Sequence, residues 1–368
     1  MALARAFQTV KTSQTSGPSW TLVTYNLLAQ RCVKNHSYCQ PNSLLEWSHR
    51  YPRMLQEIVQ YAADILCLQE VQEPHFCENL QPDLGKQDLK GLQYALKIMP
   101  GSEFSGQPEQ GPCLFYSTKR FHKPLAWQTI RFQDAIARQP CPQLETKIRE
   151  QQDGGVLALL QDKATGQVFL AASVHLFYHP RWPDLKALQA EALCHQVAAF
   201  AAEHGHPDAR LIIGGDFNSL WRKYTSDDYD KVPPGEAFAT SGAYELLHHG
   251  KLAPDHPQHP AVYRSHLQPM EALEVPCKLK SAGFSGLGKE PPVTNCTQWF
   301  QGCLDYIWLS RQGLQVTHWL GMPYGNDAPA DPAAVRFGPI PDSHWPSDHL
   351  AVGCRVQLQP AGSSTLCD

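Results

Sequence analysis

No Cys-x-x-Cys pair occurs in this chain, and its twelve cysteines follow no regular spacing. That pattern argues against a disulfide framework or a thiolate-bound zinc. It fits buried or free thiols in a reducing compartment: the cytoplasm is the expected location, with mitochondrion and nucleus as alternatives. No apolar run approaches membrane-spanning length, so no membrane partner is expected. A surplus of positive charge is missing as well. At a net charge of −4 bulk electrostatics do not attract a polyanion, and a phosphate-bearing substrate must be met by local cations or bound metal. Internal repeats and interior linkers are also absent. A chain of 368 residues can bury the core of one large α/β domain or of two smaller ones, and the unbroken composition favours a single domain.

What is present is an ordinary globular mixture, 42% apolar and 18% charged. Thr21 to Asn26 alternates toward a strand that ends on Asn26. Met54, Leu55, Ile58, Val59 and Ala62 make one helical face, which Ser48 could cap. Ile65 to Val71 reads as a buried strand with Glu70 near its end, and a buried carboxylate there needs a partner or a metal. Cys113 to Ser117 is another strand, and Val156–Leu160 with Gln167–His175 makes a hairpin around Ala164-Thr165-Gly166. Asp184 is the expected N-cap of a helix whose inner face carries Leu185, Leu188, Ala192, Leu193, Val197 and Phe200; Gly205 and Pro207 end it. Late strands are read at Asp305–Leu309, Gln315–Trp319 and Leu350–Val356. Many strands with few helices predict sheet packed on sheet with helices outside. Residues 1–19 and 358–368 are expected to be flexible ends, although Leu3, Phe7 and Val10 fall at helical spacing.

The chain is organised around Gly214-Gly215-Asp216-Phe217-Asn218-Ser219. The apolar run Leu211-Ile212-Ile213 before it reads as a buried strand, and the two glycines are expected to turn the backbone sharply. An acceptor-only carboxylate two residues from an amide can orient a water while holding a phosphate oxygen. Alone, such a pair is more commonly a plain Asx turn. Other strand ends add to it: Asn26, Glu70, His175 and Asp305, with Pro346-Ser347-Asp348-His349 ahead of the last strand. Oxygen-rich and free of cysteine, this set suits a hard cation such as Mg²⁺, with Mn²⁺ as substitute, rather than zinc. A cation to neutralise phosphate, a carboxylate to activate water and a histidine to stabilise developing charge are what phosphodiester cleavage needs. His204, His206, His248, His249 and the run Asp227-Asp228-Tyr229-Asp230 read as solvated surface.

Six ordered motifs, Tyr-Asn, Leu-Gln-Glu, His-Leu, Gly-Asp-Phe-Asn-Ser, Leu-Asp-Tyr-Ile and Ser-Asp-His, resemble the endonuclease/exonuclease/phosphatase superfamily. Val174 to Pro180, Asp184-Leu185-Lys186, Thr294-Asn295 and Phe300 to Ile307 resemble its carbon-catabolite-repressor-type branch of deadenylases, Angel proteins, nocturnin and 2′-phosphodiesterases. The resemblance covers roughly residues 20–357 and implies a DNase I-like, four-layer α/β fold: a two-sheet β-sandwich flanked by helices. It implies Glu70 as the main metal ligand, supported by Asn26, with Asp348 near a second metal. Asp216 would position or deprotonate the water, Asn218 bind the scissile phosphate and His175 contact it. His349, oriented by Asp305, would stabilise the phosphorane-like charge. Pro180 and Phe300 would sandwich a base whose edge Asn295 reads.

Several positions depart from the branch. Gln110-Gly111-Pro112-Cys113-Leu114 stands where it carries Asp-Gly-Cys-Ala, and Phe177 replaces a lysine that nocturnin uses. No leucine-rich repeats precede the domain, so docking by such a module is not expected. Residues 221–239 and 324–342 look like inserts; in the first, Trp221 or Tyr224 could stack on substrate while Arg222 and Lys223 reach its backbone. The expected activity is that of a monomeric, Mg²⁺-dependent 3′-to-5′ exoribonuclease acting on single-stranded, A-rich RNA. An RNA 3′-end phosphatase (including 2′,3′-cyclic phosphate removal) or a 2′,5′-phosphodiesterase is the alternative within hydrolases. A catalytically inactive RNA-binding scaffold is the alternative outside them.

Overall fold

Along Ser19–Asn26 successive side chains enter different cores: Trp20 and Leu22 point to the middle of the molecule, Val23 and Tyr25 to the outside of their sheet. Both faces of such a strand are covered, so seven of its eight residues are buried, Thr21, Thr24 and Asn26 among them. We describe this arrangement from a computed structural model that covers residues 5–10, 17–94, 109–137, 141–225, 229, 232–234, 240–264 and 270–359.

The first sheet holds β1 (Phe7–Thr9), β2 (Ser19–Asn26), β3 (Ile65–Gln72), β4 (Leu89–Gln93) and β5 (Gln110–Ser117), with β16 (Leu314–Leu320) and β17 (Val352–Leu358). Their order is β1-β16-β17-β2-β3-β5-β4. The second holds β6 (Ala126–Arg131), β7 (Gly154–Gln161), β8 (Val168–His175), β9 (Arg210–Asp216), β12 (Leu279–Ser281) and β15 (Asp305–Ser310). Here the order is β12-β15-β9-β8-β7-β6. Two short ribbons complete the strands, β10 (Lys251–Leu252) with β11 (Leu273–Glu274) and β13 (Asn295–Cys296) with β14 (Gln301–Gly302).

Trp20, Ile65, Leu114, Val156, Phe169, Ile212 and Ile307 fill the space between the sheets. Helix Trp47–Tyr61 covers the outer face of the first sheet, and helices Pro183–Glu203 and Gly242–His249 that of the second. The result is the expected four-layer sandwich in one domain. Each sheet contains one parallel pair, β2 with β3 and β8 with β9. A parallel pair needs a crossover, and the two long helices supply it. Carboxyl ends of both pairs therefore open on one end of the sandwich, where α/β folds place ligands.

Several local readings are corrected. Gly214 and Gly215 do not turn the chain; they remain in β9. A Cβ on Gly215 would lie 2.3 Å from the Val174 carbonyl oxygen, and one on Gly214 2.9 Å from Cys67 Sγ. The glycines let neighbouring backbone and the opposite sheet approach, while the turn falls at Asn218, whose φ is 48°. Ser48 lies inside its helix, where Glu46 stands at the N-cap without a side-chain bond. That helix faces its sheet with Arg50, Met54, Glu57, Ile58 and Tyr61, leaving Val59 37% exposed. Pro183, suited to the first helical position, displaces Asp184 from the cap into the first turn, where it is buried against Arg264 at 2.8 and 3.2 Å. Phe7–Thr9, within the segment expected to be flexible, pairs with the edge strand β16. A free sheet edge is a template that a neighbouring segment satisfies. Asp227, Asp228, Asp230 and the tail from 360 onward lie outside the described residues.

Candidate active site

Glu70 reaches the site through a β-bulge. The β3–β5 register shifts between Leu68 and Val71, and Glu70 adopts φ 57°, a left-handed conformation uncommon outside glycine. Its Oε2 accepts from the Ala29 amide at 2.9 Å and its Oε1 from Asn26 Nδ2 at 3.1 Å. The same Asn26 nitrogen donates to Asp216 Oδ2 at 3.0 Å, while its Oδ1 accepts from the Leu28 amide at 3.0 Å. One amide thus ties the carboxylate of the first sheet to that of the second.

Around Asp216 the ladder is regular. It stands opposite Asp305 on β15 and His175 on β8. His349 Nδ1 lies 2.8 Å from Asp305 Oδ2, and its Nε2 lies 3.6 Å from Asp216 Oδ2. His175 Nε2 lies 3.5 Å from that same oxygen and 3.1 Å from Asn218 Nδ2. The Asn218 amide donates to Asp216 Oδ1 at 2.9 Å, and Lys186 Nζ to the Asn218 carbonyl at 2.5 Å. Burial raises the pKa of Asp216, against the lowering pull of His349. For His349 burial pulls downward, but Asp305, Asp348 and Asp216 together hold it well above its usual value. The acids around this histidine thus favour its protonated form. Asp348 is desolvated too, yet His349 and His36 bring it down to about 2.

Among the described residues no lysine or arginine side chain is bonded to Glu70, Asp216 or Asp305. Buried acids in such number call for a proton or a cation. Asp216, Asp305 and His349 offer ligand atoms within 4.8 Å of one another, and Asp305 Oδ1 is buried with no hydrogen-bond partner. The donor set and this orphaned oxygen fit a bound cation, and Glu70, fixed beside Asp216 through Asn26, extends the oxygen-rich lining.

The expected residues therefore divide into groups. Asn26, Glu70, His175, Asp216, Asn218, Asp305 and His349 form one connected cluster. Asp348 sits beside it, 3.0 Å from His36 Nε2. Asn295 is buried, and its Nδ2 donates to the Asp348 carbonyl at 3.1 Å and approaches Asp348 Oδ2 at 3.4 Å, so its amide nitrogen faces inward. Pro180 and Phe300 are exposed, outside the hydrogen-bonded cluster. In the 221–239 insert, Lys223 is buried and Trp221 packs on the second-sheet core, so neither stands free for substrate.

Sequence reasoning missed Arg50, His36 and Gln189. Arg50 is fully buried and donates to the carbonyls of Leu27, Leu28, Leu45 and Pro346 at 2.8–3.1 Å. It pins the loop below Glu70 to the segment that carries Asp348 and His349. A usable signal existed: Arg50, Met54 and Ile58 recur at i, i+4 and i+8, which puts an arginine on the buried row. Gln189 accepts from the Phe177 amide at 2.8 Å and donates to Asp153 at 3.1 Å, fixing the loop after His175. No comparable pattern marked it.

Two parallel pairs meeting at an Asp-His-Asp cluster make a site suited to phosphoester chemistry, and comparison with known proteins identifies the family. The profile of the Endonuclease/Exonuclease/phosphatase family matches residues 23–349, and the chain belongs to that family. Its similarity falls on the carbon-catabolite-repressor-type branch. A CCR4-Not complex 3′-5′-exoribonuclease subunit Ccr4 of Phaeosphaeria nodorum is 28% identical, over 90% of this chain and 58% of that protein. The Ccr4 subunit of Schizosaccharomyces pombe is 26% identical, over 90% and 48%. The chain spans about half the length of these relatives. Among solved structures, the 2′,3′-cyclic phosphatase ANGEL2 in complex with adenosine-2′,3′-vanadate superposes with a TM-score of 0.71 at 21% identity, covering 97% of this chain and 99% of that one. The human Nocturnin catalytic domain gives 0.63 at 23%, covering 96% and 98%. Among the described residues no helix is long and apolar enough to cross a membrane.

Proposed function

We propose that this protein is a Mg²⁺-dependent 3′-to-5′ exoribonuclease acting on single-stranded, A-rich RNA in the cytoplasm. The observation that carries the reading is the buried Asp216–His349–Asp305 cluster joined through Asn26 to Glu70. Similarity to the Ccr4 exoribonuclease subunits supports the choice of substrate class. A bound Mg²⁺ would be held by Glu70, which Asn26 orients, with the unpartnered Asp305 Oδ1 as a second oxygen, and would neutralise charge on the scissile phosphate.

The chain's own groups do the rest. Asp216, with its basicity raised by burial, takes a proton from the attacking water at a carboxylate oxygen. The Asn218 amide, donating to Asp216 Oδ1, and Asn26, donating to Oδ2, aim that carboxylate. The His349 imidazolium meets negative charge growing on the phosphate oxygens. Asp305 holds the ring through Nδ1 and keeps Nε2 pointed into the site. His175 Nε2, which accepts from Asn218 Nδ2 at 3.1 Å and lies 3.5 Å from Asp216 Oδ2, lines the same site.

One observation favours a second reading, hydrolysis of a 2′,3′-cyclic or terminal phosphate on RNA. The Asn295 amide nitrogen is turned to Asp348, so the expected reader of adenine has no outward donor. The test uses purified protein with 5′-labelled oligonucleotides ending in a 3′-hydroxyl, a 3′-phosphate or a 2′,3′-cyclic phosphate. An exoribonuclease produces a ladder of shortened products and mononucleotides with Mg²⁺. Products of unchanged length with an altered 3′ end would replace the first reading with the second. No Mg²⁺-dependent change in any substrate would leave an RNA-binding scaffold.

A further inference from the structure

The ribbon β13–β14 is rooted in the active site. Asn295 bridges His349, and the Cys296 amide donates to the Asp348 carbonyl at 3.0 Å. Thr294 Oγ1, just before the ribbon, accepts from the Leu304 and Asp305 amides at 2.9 and 3.1 Å. The tip, residues 297–300, is closed by the Thr297 amide on the Phe300 carbonyl at 2.8 Å, and Thr297 Oγ1 accepts from the Trp299 and Phe300 amides at 3.2 and 3.1 Å. Gln301 Nε2 then braces the ribbon against the proline-rich 324–342 segment through the Pro332 and Val335 carbonyls at 3.0 and 3.2 Å. Beneath it lie Val293, Cys296, Val335 and Trp345.

On this fixed turn stands Trp299, 82% exposed, the most exposed of the large apolar side chains described. Among the described residues it has no ring or cation partner, and its indole nitrogen makes no hydrogen bond. Single exposed apolar residues are ordinary, and Trp127 on the edge strand β6 is one. Trp299 differs because its backbone is held and because four residues connect it to Asn295, a span of at most roughly 13 Å at the rise of an extended chain. A broad, solvent-facing π-face on a braced turn close to a phosphoesterase site is a surface on which a base can stack without base selection.

We propose that Trp299 is a stacking subsite for a nucleobase of single-stranded RNA upstream of the 3′-terminal nucleotide. This rests on the exoribonuclease reading and runs the RNA body out of the site past the ribbon. Trp299 takes the stacking role expected of Trp221 or Tyr224; Trp221 is partly buried against the second-sheet core, and Tyr224 is engaged by Trp221 and Arg222.

The test is equilibrium binding of a fluorescein-labelled hexa-adenylate whose 3′ linkages are phosphorothioates that resist cleavage. It is repeated with an abasic residue at each of the last four positions in turn. Trp299→Ala should weaken binding of the intact oligonucleotide roughly 10-fold, within the 5- to 150-fold span of base–aromatic stacking. Trp299→Tyr should restore most of it. At one upstream position the abasic residue should weaken the native protein and leave Trp299→Ala unaffected. Equal affinities for the native protein and Trp299→Ala overturn the inference, as does a loss that persists with every abasic oligonucleotide. Because binding is read without turnover, a position-specific loss in a protein that shortens no RNA keeps the subsite and removes the exoribonuclease. Shortening with no such loss does the reverse.

Discussion

The two parallel pairs do the same topological job with opposite materials. On β2 and β3 the acid is delivered by an irregular backbone: Glu70 sits on a bulge at positive φ and remains partly accessible. On β8 and β9 the ladder is unbroken up to Asp216, which is buried, and the strand carries glycines where the other carries side chains. An acid meant to meet an ion from solvent must face outward, and a bulge re-aims it at the cost of local strain. In the proposed mechanism the base gains from dryness, which raises its pKa, and dryness comes from a closely packed ladder. The crossover helices differ in the same sense. Trp47–Tyr61 buries one row, whereas Pro183–Asp184 and most of the residues through Ala201 are buried under further chain.

Removing each acid should separate the halves most clearly. Glu70→Ala is expected to abolish Mg²⁺-dependent turnover with the circular-dichroism spectrum and melting intact, because charge and cation leave together. Partial recovery at high Mg²⁺ would fit an ion-binding role; normal turnover at ordinary Mg²⁺ would sink it. Asp216→Asn should lower kcat by roughly 10²- to 10⁴-fold with little change in KM, and added Mg²⁺ should not recover it. A variant altered in KM alone would make Asp216 a binding residue.

Packing gives the next contrast. Gly215→Ala places a methyl 2.3 Å from the Val174 carbonyl, where backbone has to move. The expected loss is roughly 1–3 kcal/mol in a urea melt. An unchanged midpoint would mean that the regular half has slack.

Protonation gives the finest contrast, measured by melting in chelator so that no ion intervenes. Asp348 is held near about 2 in the folded protein. Its contribution is present above the ordinary value of about 3.9 and fades as pH falls toward about 2, a loss of roughly 2 kcal/mol. Asp216, with a raised folded pKa, has the opposite sign: it costs stability as pH rises through that value. His349, raised by its acids, stabilises fully below about pH 6.5 and loses that contribution as pH rises through its folded value. At pH 7, therefore, Asp348→Asn should lower Tm and Asp216→Asn should raise it. Two shifts of the same sign would refute this division of the acids.

Much of this site was legible because strand ends are where a two-residue period stops. Asn26, His175, Asp216 and Asp305 all sit where an apolar run meets polar residues, and the structure brings them together. The two-sheet sandwich followed from the same runs. Less legible were features set by what lies across the space rather than along the chain. The double glycine read as a turn because its true neighbours, Val174 and Cys67, are 41 and 147 residues away in sequence. Arg50 went unread because the carbonyls it holds come from three separate segments. The inward face of Asn295 depends on Asp348, which no local pattern places beside it.

His349 precedes β17 of the first sheet, yet its ring serves Asp305 and Asp216 of the second. It is also the last of the cluster to be synthesised. Until that segment arrives, a nascent chain holds a water-orienting acid but no imidazolium, and Asp305 lacks the partner that fixes it. Chemistry is then a property of the finished sandwich. Chains released after Asp342 also lack β17, which joins β16 to β2 within the first sheet, so they should neither complete the sandwich nor shorten RNA, and turnover by such a chain would show that the last strand is dispensable.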